Sequence, residues 1–157
     1  MYETKQYDDA VKDAQRLTAA SSLANSVRRE ANFLMAKSYK MMGEADLARA
    51  IFTDIANDCN DQYGGESSYI LILEAYDKGD FPDVELKVYA FADKGSNQLY
   101  WLAKSFIVLG DSFADRNDFA QARATFESIL KEYSPRENDD VLDQVSNRIE
   151  LLNKMNR

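Results

Sequence analysis

Residue types return along this chain at shifts of 36 and 38 residues, and that recurrence constrains the fold more than any other feature. Gly43, Gly79 and Asn117 are related by those shifts. So are Ala48, Val84 and Ala122, then Phe52, Val88 and Phe126, then Ile55, Phe91 and Ile129. Upstream of each turn residue the same shifts relate Met35, Leu71 and Leu109, then Ala36, Ile72 and Gly110, then Tyr39, Ala75 and Phe113. A chain built this way makes one supersecondary unit several times. Each unit is too small to bury its apolar face alone, so units must stack.

The unit reads as a helix pair. Leu99, Leu102, Phe106, Leu109 and Phe113 fall at offsets of 0, 3, 7, 10 and 14, and Phe119, Ala122, Phe126, Ile129 and Tyr133 repeat them. Such spacing puts five side chains on one helical stripe. The short polar turn Asp115–Asp118 between the two stripes makes the helices antiparallel neighbours. Small residues at Ala36, Ala48, Gly110 and Ala122 mark where paired helices approach closely. Pro82 after Asp80 suits the first turn of a capped helix, and Pro135 stops the preceding one. Gly64 and Gly65, like most glycines here, lie in polar stretches where a helix would end. Tyr69–Leu73 could be a short strand by itself, but its continuation to Gly79 predicts a helix. The stretch from Asp58 to Gly64 reads as a solvated loop. It has acids at some calcium-loop positions, but neither the glycine at the sixth place nor the carboxylate at the twelfth.

Composition removes several classes of chemistry. The 157 residues are 45% hydrophobic and 29% charged, enough for one globular domain. There is no histidine and one cysteine, Cys59, which leaves no His-based acid–base pair, His/Cys zinc site or internal disulfide. The net charge of −8 opposes a nucleic-acid backbone, so no nucleic-acid partner is expected. No stretch is long and apolar enough for direct membrane insertion, and no export signal is visible at residues 1–5. Phosphate-loop, dinucleotide and nucleophile-elbow motifs are absent. No catalytic residue, cofactor or metal ligand is therefore assigned, and the chain is expected not to be an enzyme.

The segment Phe106–Pro135 resembles the tetratricopeptide repeat (TPR) family through Leu109-Gly110, Phe113, Asp118-Phe119, Ala122, Phe126 and Pro135. Asn32–Ala56 resembles it through Met35, Ala36, Tyr39, Gly43, Ala48 and Phe52. The pair Glu66–Ala92 departs from it, with Ile72, Val84 and Val88 where small or aromatic residues are usual. The family's usual tryptophan is replaced by Asn32 and Phe106. The lengthened repeat is similar to that of bacterial envelope members, which leans the compartment towards the periplasm over the cytoplasm.

The resemblance implies an all-α fold, a right-handed α-α superhelix (TPR-like solenoid) of antiparallel helix pairs. Within a single domain over 1–157 it places a half-repeat helix at 5–20, repeats at 26–58, 66–93 and 98–134, and a capping helix at 139–156. It further implies a noncatalytic scaffold binding a protein or peptide in a concave groove lined by first helices. Carried over by position, the groove residues are Phe33, Lys37 and Lys40, then Tyr69, Leu73 and Tyr76, then Lys104, Ile107 and Asp111. The alternative is a spacer or self-assembly segment of a longer envelope solenoid. The leading helix, with Tyr7, Ala10, Ala14 and Leu17 on its stripe, is either the remnant of a further pair or a solitary cap. As an open stacking face it would favour a homodimer.

Overall fold

The computed structural model describes residues 2–20 and 24–155, and the side chains from residue 4 onward. Among the described residues there are eight helices and no strand: α1 (Tyr2–Ala19), α2 (Asn25–Met41), α3 (Ala45–Ala56), α4 (Gln62–Asp77), α5 (Phe81–Asp93), α6 (Leu99–Asp115), α7 (Phe119–Glu132) and α8 (Val141–Met155). Asn156, the expected end of the last helix, lies outside the described residues. The fold is an all-α, TPR-like repeat. No described helix is long and apolar enough to cross a membrane.

The repetition is visible in the turns. Gly43, Gly79 and Asn117 all take a left-handed backbone, with φ of +82°, +72° and +62°. Each is followed by an amide that reaches back to close its helix: Glu44 to the Tyr39 carbonyl, Asp80 to Ala75 and Asp118 to Phe113, at 2.9, 3.0 and 2.9 Å. This six-residue closure satisfies a carbonyl at the helix end, and only glycine or asparagine enters it cheaply. The next helix then starts at once. The Asp80 and Asp118 carboxylates accept from the amides of Asp83 and Gln121, both at 3.2 Å.

The chain forms two compact units, Met1–Leu71 and Ile72–Arg157. In the first, α1 packs on α2 and α2 on α3. Its core is Phe33, Ala36, Ala48, Phe52, Ile55 and Ile70, with Tyr39, Ile51, Tyr63 and Leu71 at its edge. The Phe33 ring meets Phe52 edge-on at 6.0 Å and Tyr63 at 5.4 Å. Burying each such ring contributes about 1.5–3 kcal/mol. In the second unit α6 is central, in contact with α5, α7 and α8. Val84, Val88, Leu109, Ala122, Phe126, Val141 and Val145 are all buried there. Phe126 lies against Gly110, where an added Cβ would stand 2.3 Å from its ring.

Three sequence expectations need correction. Leu99, at the head of the expected α6 stripe, is 56% exposed, and Leu102 and Phe106 are half-buried. With neighbours on several sides, α6 instead buries a broad surface that includes Ala103, Ile107 and Val108. On α1 the stripe is rotated: Val11 and Ala14 are buried, whereas Ala10 and Leu17 are exposed. The segment expected as a solvated loop buries Cys59, and α4 begins at Gln62, so Gly64 and Gly65 lie in its first turn. The Asp61 carboxylate explains the early start, since it accepts from the Gly64 amide at 2.8 Å.

Candidate protein-binding surface

The nine groove residues expected from the sequence occupy different environments. In the first unit Phe33 is only 5% exposed, because its ring fills the space between α3 and the start of α4. Lys37 is exposed, with its ammonium 4.9 Å from the Phe33 ring centre and 2.8 Å from the Glu66 carboxylate. Lys40 is exposed and Tyr69 is half-buried.

In the second unit Ile107 is only 2% exposed, while Leu73 is half-buried. The half-buried Tyr76 hydroxyl donates to the Asp115 carboxylate at 2.7 Å. Burial, and then this hydrogen bond to an anion, push the Tyr76 phenol well above its ordinary range. Lys104 and Asp111 are engaged by α8. The Lys104 ammonium donates to Asp140 at 3.2 Å and to Gln144 at 3.1 Å. The Arg148 guanidinium clasps Asp111 through two nitrogens, at 2.6 and 2.9 Å. Burial opposes the charge on Asp140, yet hydrogen bonds from Lys104 and Tyr100 hold its carboxyl below the usual carboxylate range. Phe33 and Ile107 therefore contribute packing, while Lys37 ties α2 to α4 in the first unit and Lys104 and Asp111 tie α6 to the start and body of α8 in the second.

The partners in these contacts, Glu66, Asp115, Asp140 and Arg148, were not among the residues expected. A signal for some of them exists in the sequence. Lys104 and Asp140, and Asp111 and Arg148, are opposite charges about one repeat length apart. A further clasp, also unforeseen, fixes the junction of α3 and α4. Arg29 donates to both oxygens of Asp61 at 2.6 and 2.9 Å, and to the carbonyls of Ile55 and Asp58 at 3.2 and 2.8 Å. The Arg29 hydrogen bonds hold the Asp61 carboxyl below its usual range.

The second unit carries a concavity that the positional argument did not find. An open cleft of about 370 Å³ lies between the first half of α6 and the end of α7. Leu99, Leu102, Ala103, Phe106 and Ile129 give it an apolar floor, and Ser128, Glu132, Tyr133 and Ser134 supply its polar atoms. The Tyr133 hydroxyl is held by Asp139, so the ring is fixed at the cleft wall. The volume falls within the range of specific ligand pockets, and an apolar floor with few polar groups is their usual chemistry. Leu99 and Leu102, about two turns and one turn ahead of Phe106, belong to the stripe of α6 that the sequence predicts to be buried, and it is their exposure that opens the cleft.

Neither a curated protein nor a solved structure matches the chain significantly. The tetratricopeptide repeat family matches it twice, over residues 30–59 and 99–134. One match covers α3 and most of α2 in the first unit, and the other covers α6 and α7 in the second. The family is generally noncatalytic, and its repeats typically bind proteins or peptides. The shared turns, the Gly110–Phe126 contact and the two matched segments agree: this chain is a TPR-like helical repeat protein.

Proposed function

We propose that the chain is a noncatalytic interaction module that holds a protein or peptide segment by an apolar anchor in the cleft between α6 and α7. The observation that carries this reading is the cleft itself, an apolar concavity left open on a repeat of protein-binding type. It is built on two helices already pinned by the Gly110–Phe126 contact, so a ligand would not have to order its receptor. A large aliphatic or aromatic side chain would seat against Leu102, Phe106 and Ile129, and backbone groups of the ligand would meet the serines at the rim.

The expected groove supplies a second reading. Tyr69, Leu73 and Tyr76 lie on one stripe of α4, and each keeps part of its surface open. Selection of a displayed peptide library on the purified chain separates the two. Peptides with a large apolar anchor should be enriched, and Leu99→Asp with Leu102→Asp should abolish their binding while helical circular dichroism is retained. Loss of binding with Tyr69→Ala/Tyr76→Ala instead would move the site to α4. A library that yields no specific binder would refute both. A spacer role in a longer array has no observation in its favour beyond the repetition itself.

A further inference from the structure

The first repeat contains a filled counterpart of the cleft between α6 and α7. The shifts of 36 and 38 residues together carry Asn25, where α2 starts, to Leu99, where α6 starts, and Ala45 of α3 to Phe119 of α7. They carry Arg29 to Ala103, Ile55 to Ile129 and Asp58 to Glu132. In the first repeat the Arg29 guanidinium reaches the end of α3. It donates to the Ile55 and Asp58 carbonyls, at 3.2 and 2.8 Å, as well as to the Asp61 carboxylate. In the third repeat alanine replaces this arginine, and Ala103, Ile129 and Glu132 all line the cleft. The open volume thus lies where the first repeat seats a guanidinium. A cation is favoured at such a place, because the last carbonyls of a helix lack intrahelical donors and carry its negative dipole end. The Ile55 carbonyl accepts from the Asp58 amide at 3.3 Å as well as from Arg29, so the matching bond from the Tyr133 amide to the Ile129 carbonyl, at 2.9 Å, leaves a lone pair for a second donor. Pro135 stands where Asp61 would supply a carboxylate. Glu132 supplies one instead, as the one charged residue among those lining the cleft.

We propose that the peptide held in this cleft carries an arginine beside its apolar anchor, and that its guanidinium takes in trans the place that Arg29 takes in cis. This rests on the cleft being the binding site, and it adds the class of partner: a basic segment in which an arginine neighbours a large aliphatic or aromatic residue. The guanidinium donates to the Ile129 and Glu132 carbonyls and to the Glu132 carboxylate, while its aliphatic stem lies along Ala103. The apolar anchor keeps the floor formed by Leu102 and Phe106. A planar fork of donors suits acceptors spread around one helix end, as Arg29 shows by bonding to three residues, and the point charge of a lysine suits them less. The net charge of −8 favours the approach of such a segment. Lys131 and Arg136, the chain's own cations in this stretch, are exposed and do not line the cleft, so neither takes the place of Arg29.

Two experiments on the full chain test the proposal. The first needs no ligand. Ala103→Arg restores the arginine of the first repeat, and its Tm should exceed that of Ala103→Met, which fills the same space without donors, by about 2–4 °C. An Ala103→Arg protein that unfolds, or melts no higher than Ala103→Met, would overturn the equivalence. The second uses the displayed peptide library. Enriched peptides should carry an arginine within a few residues of the apolar anchor. A synthetic copy of one such peptide with citrulline, which keeps the shape of arginine and loses its charge, should bind about tenfold more weakly, and a lysine copy should also be weaker. Glu132→Gln, at an exposed position, should weaken the arginine peptide and leave the citrulline peptide unchanged. Ala103→Arg should abolish the preference between the two. Apolar-anchored peptides enriched without arginine, and lost with Leu99→Asp/Leu102→Asp, would overturn this proposal and leave the cleft as the binding site. So would a citrulline or lysine copy as tight as the arginine peptide. A library with no specific binder, or with binders that depend on Tyr69 and Tyr76, would overturn both.

Discussion

Gly110→Ala sets two effects of opposite sign against each other, and the structure decides between them. In an exposed helix, alanine in place of glycine stabilises by about 1 kcal/mol. At position 110 the new Cβ would lie 2.3, 2.7 and 2.9 Å from three carbons of the Phe126 ring. Carbon atoms in ordinary contact sit about 3.5–4.0 Å apart, so the ring has to retreat by more than 1 Å. It has nowhere to go, because Phe126 is 1% exposed and Ala122, on the same face of α7, is fully buried. Overpacking of this kind costs about 1–3 kcal/mol, and an overlap so large with a buried ring belongs at the top of that range. Subtracting the helix gain leaves a net loss of about 2 kcal/mol, or roughly 4–8 °C in Tm for a chain of this size. Thermal and urea unfolding followed by circular dichroism measure the loss. Gly110→Ala/Phe126→Leu should recover at least about 1 kcal/mol relative to the sum of the single changes, since the smaller side chain vacates the site. A Gly110→Ala protein as stable as wild type, or more so, would refute the reasoning, because propensity alone predicts a gain.

Asp61→Asn should lower stability by about 1–2 kcal/mol in urea; a charge-assisted hydrogen-bond pair is worth somewhat more, and the 38% exposure of Asp61 lets water screen part of it. Since Arg29 depresses the Asp61 pKa on folding, this stability is fully present above the usual carboxylate range and is lost as pH falls through the lower folded value. The variant should therefore lose less stability than wild type between neutral and acidic pH; equal losses would contradict the clasp. At about pH 11, above the ordinary phenol range, Tyr76→Phe should leave the native phenolate absorbance unchanged, since burial and Asp115 keep that hydroxyl protonated. A drop in absorbance would show that Tyr76 ionises normally. Asp118→Ala should cost about 1 kcal/mol by removing the cap of α7, whereas Asp118→Ser should restore most of it.

The elements of the fold were legible because they depend on local rules. A left-handed turn residue admits few residue types, so Gly43, Gly79 and Asn117 announced their common role, and the φ values follow. Gly110 inside a helix pointed to a close approach for the same reason. Exposure was less legible. Leu99 and Phe106 satisfy the same helical period as Leu109, yet the start of α6 is left open while its middle is covered. Periodicity records which side chains share a face, and not how far along the helix a neighbour extends.

The candidate surface shows the division most clearly. The resemblance placed Phe33 and Ile107 in a groove by position, but the packing of Tyr63 and Phe52 on Phe33 and the burial of Ile107 take both out of contact with solvent. Lys37, Lys104 and Asp111 were placed in the groove by the same positional argument, and their ion-pair partners could not be read in that way, since an ion pair needs two side chains brought together by separate parts of the chain. By itself the sequence determined the helix pairs, their turns and their repetition, which follow from backbone preferences and apolar spacing within some forty residues. Only the tertiary structure decided which apolar side chains remain open, at the cleft of α6 and α7, because exposure is a property of what the rest of the chain fails to cover.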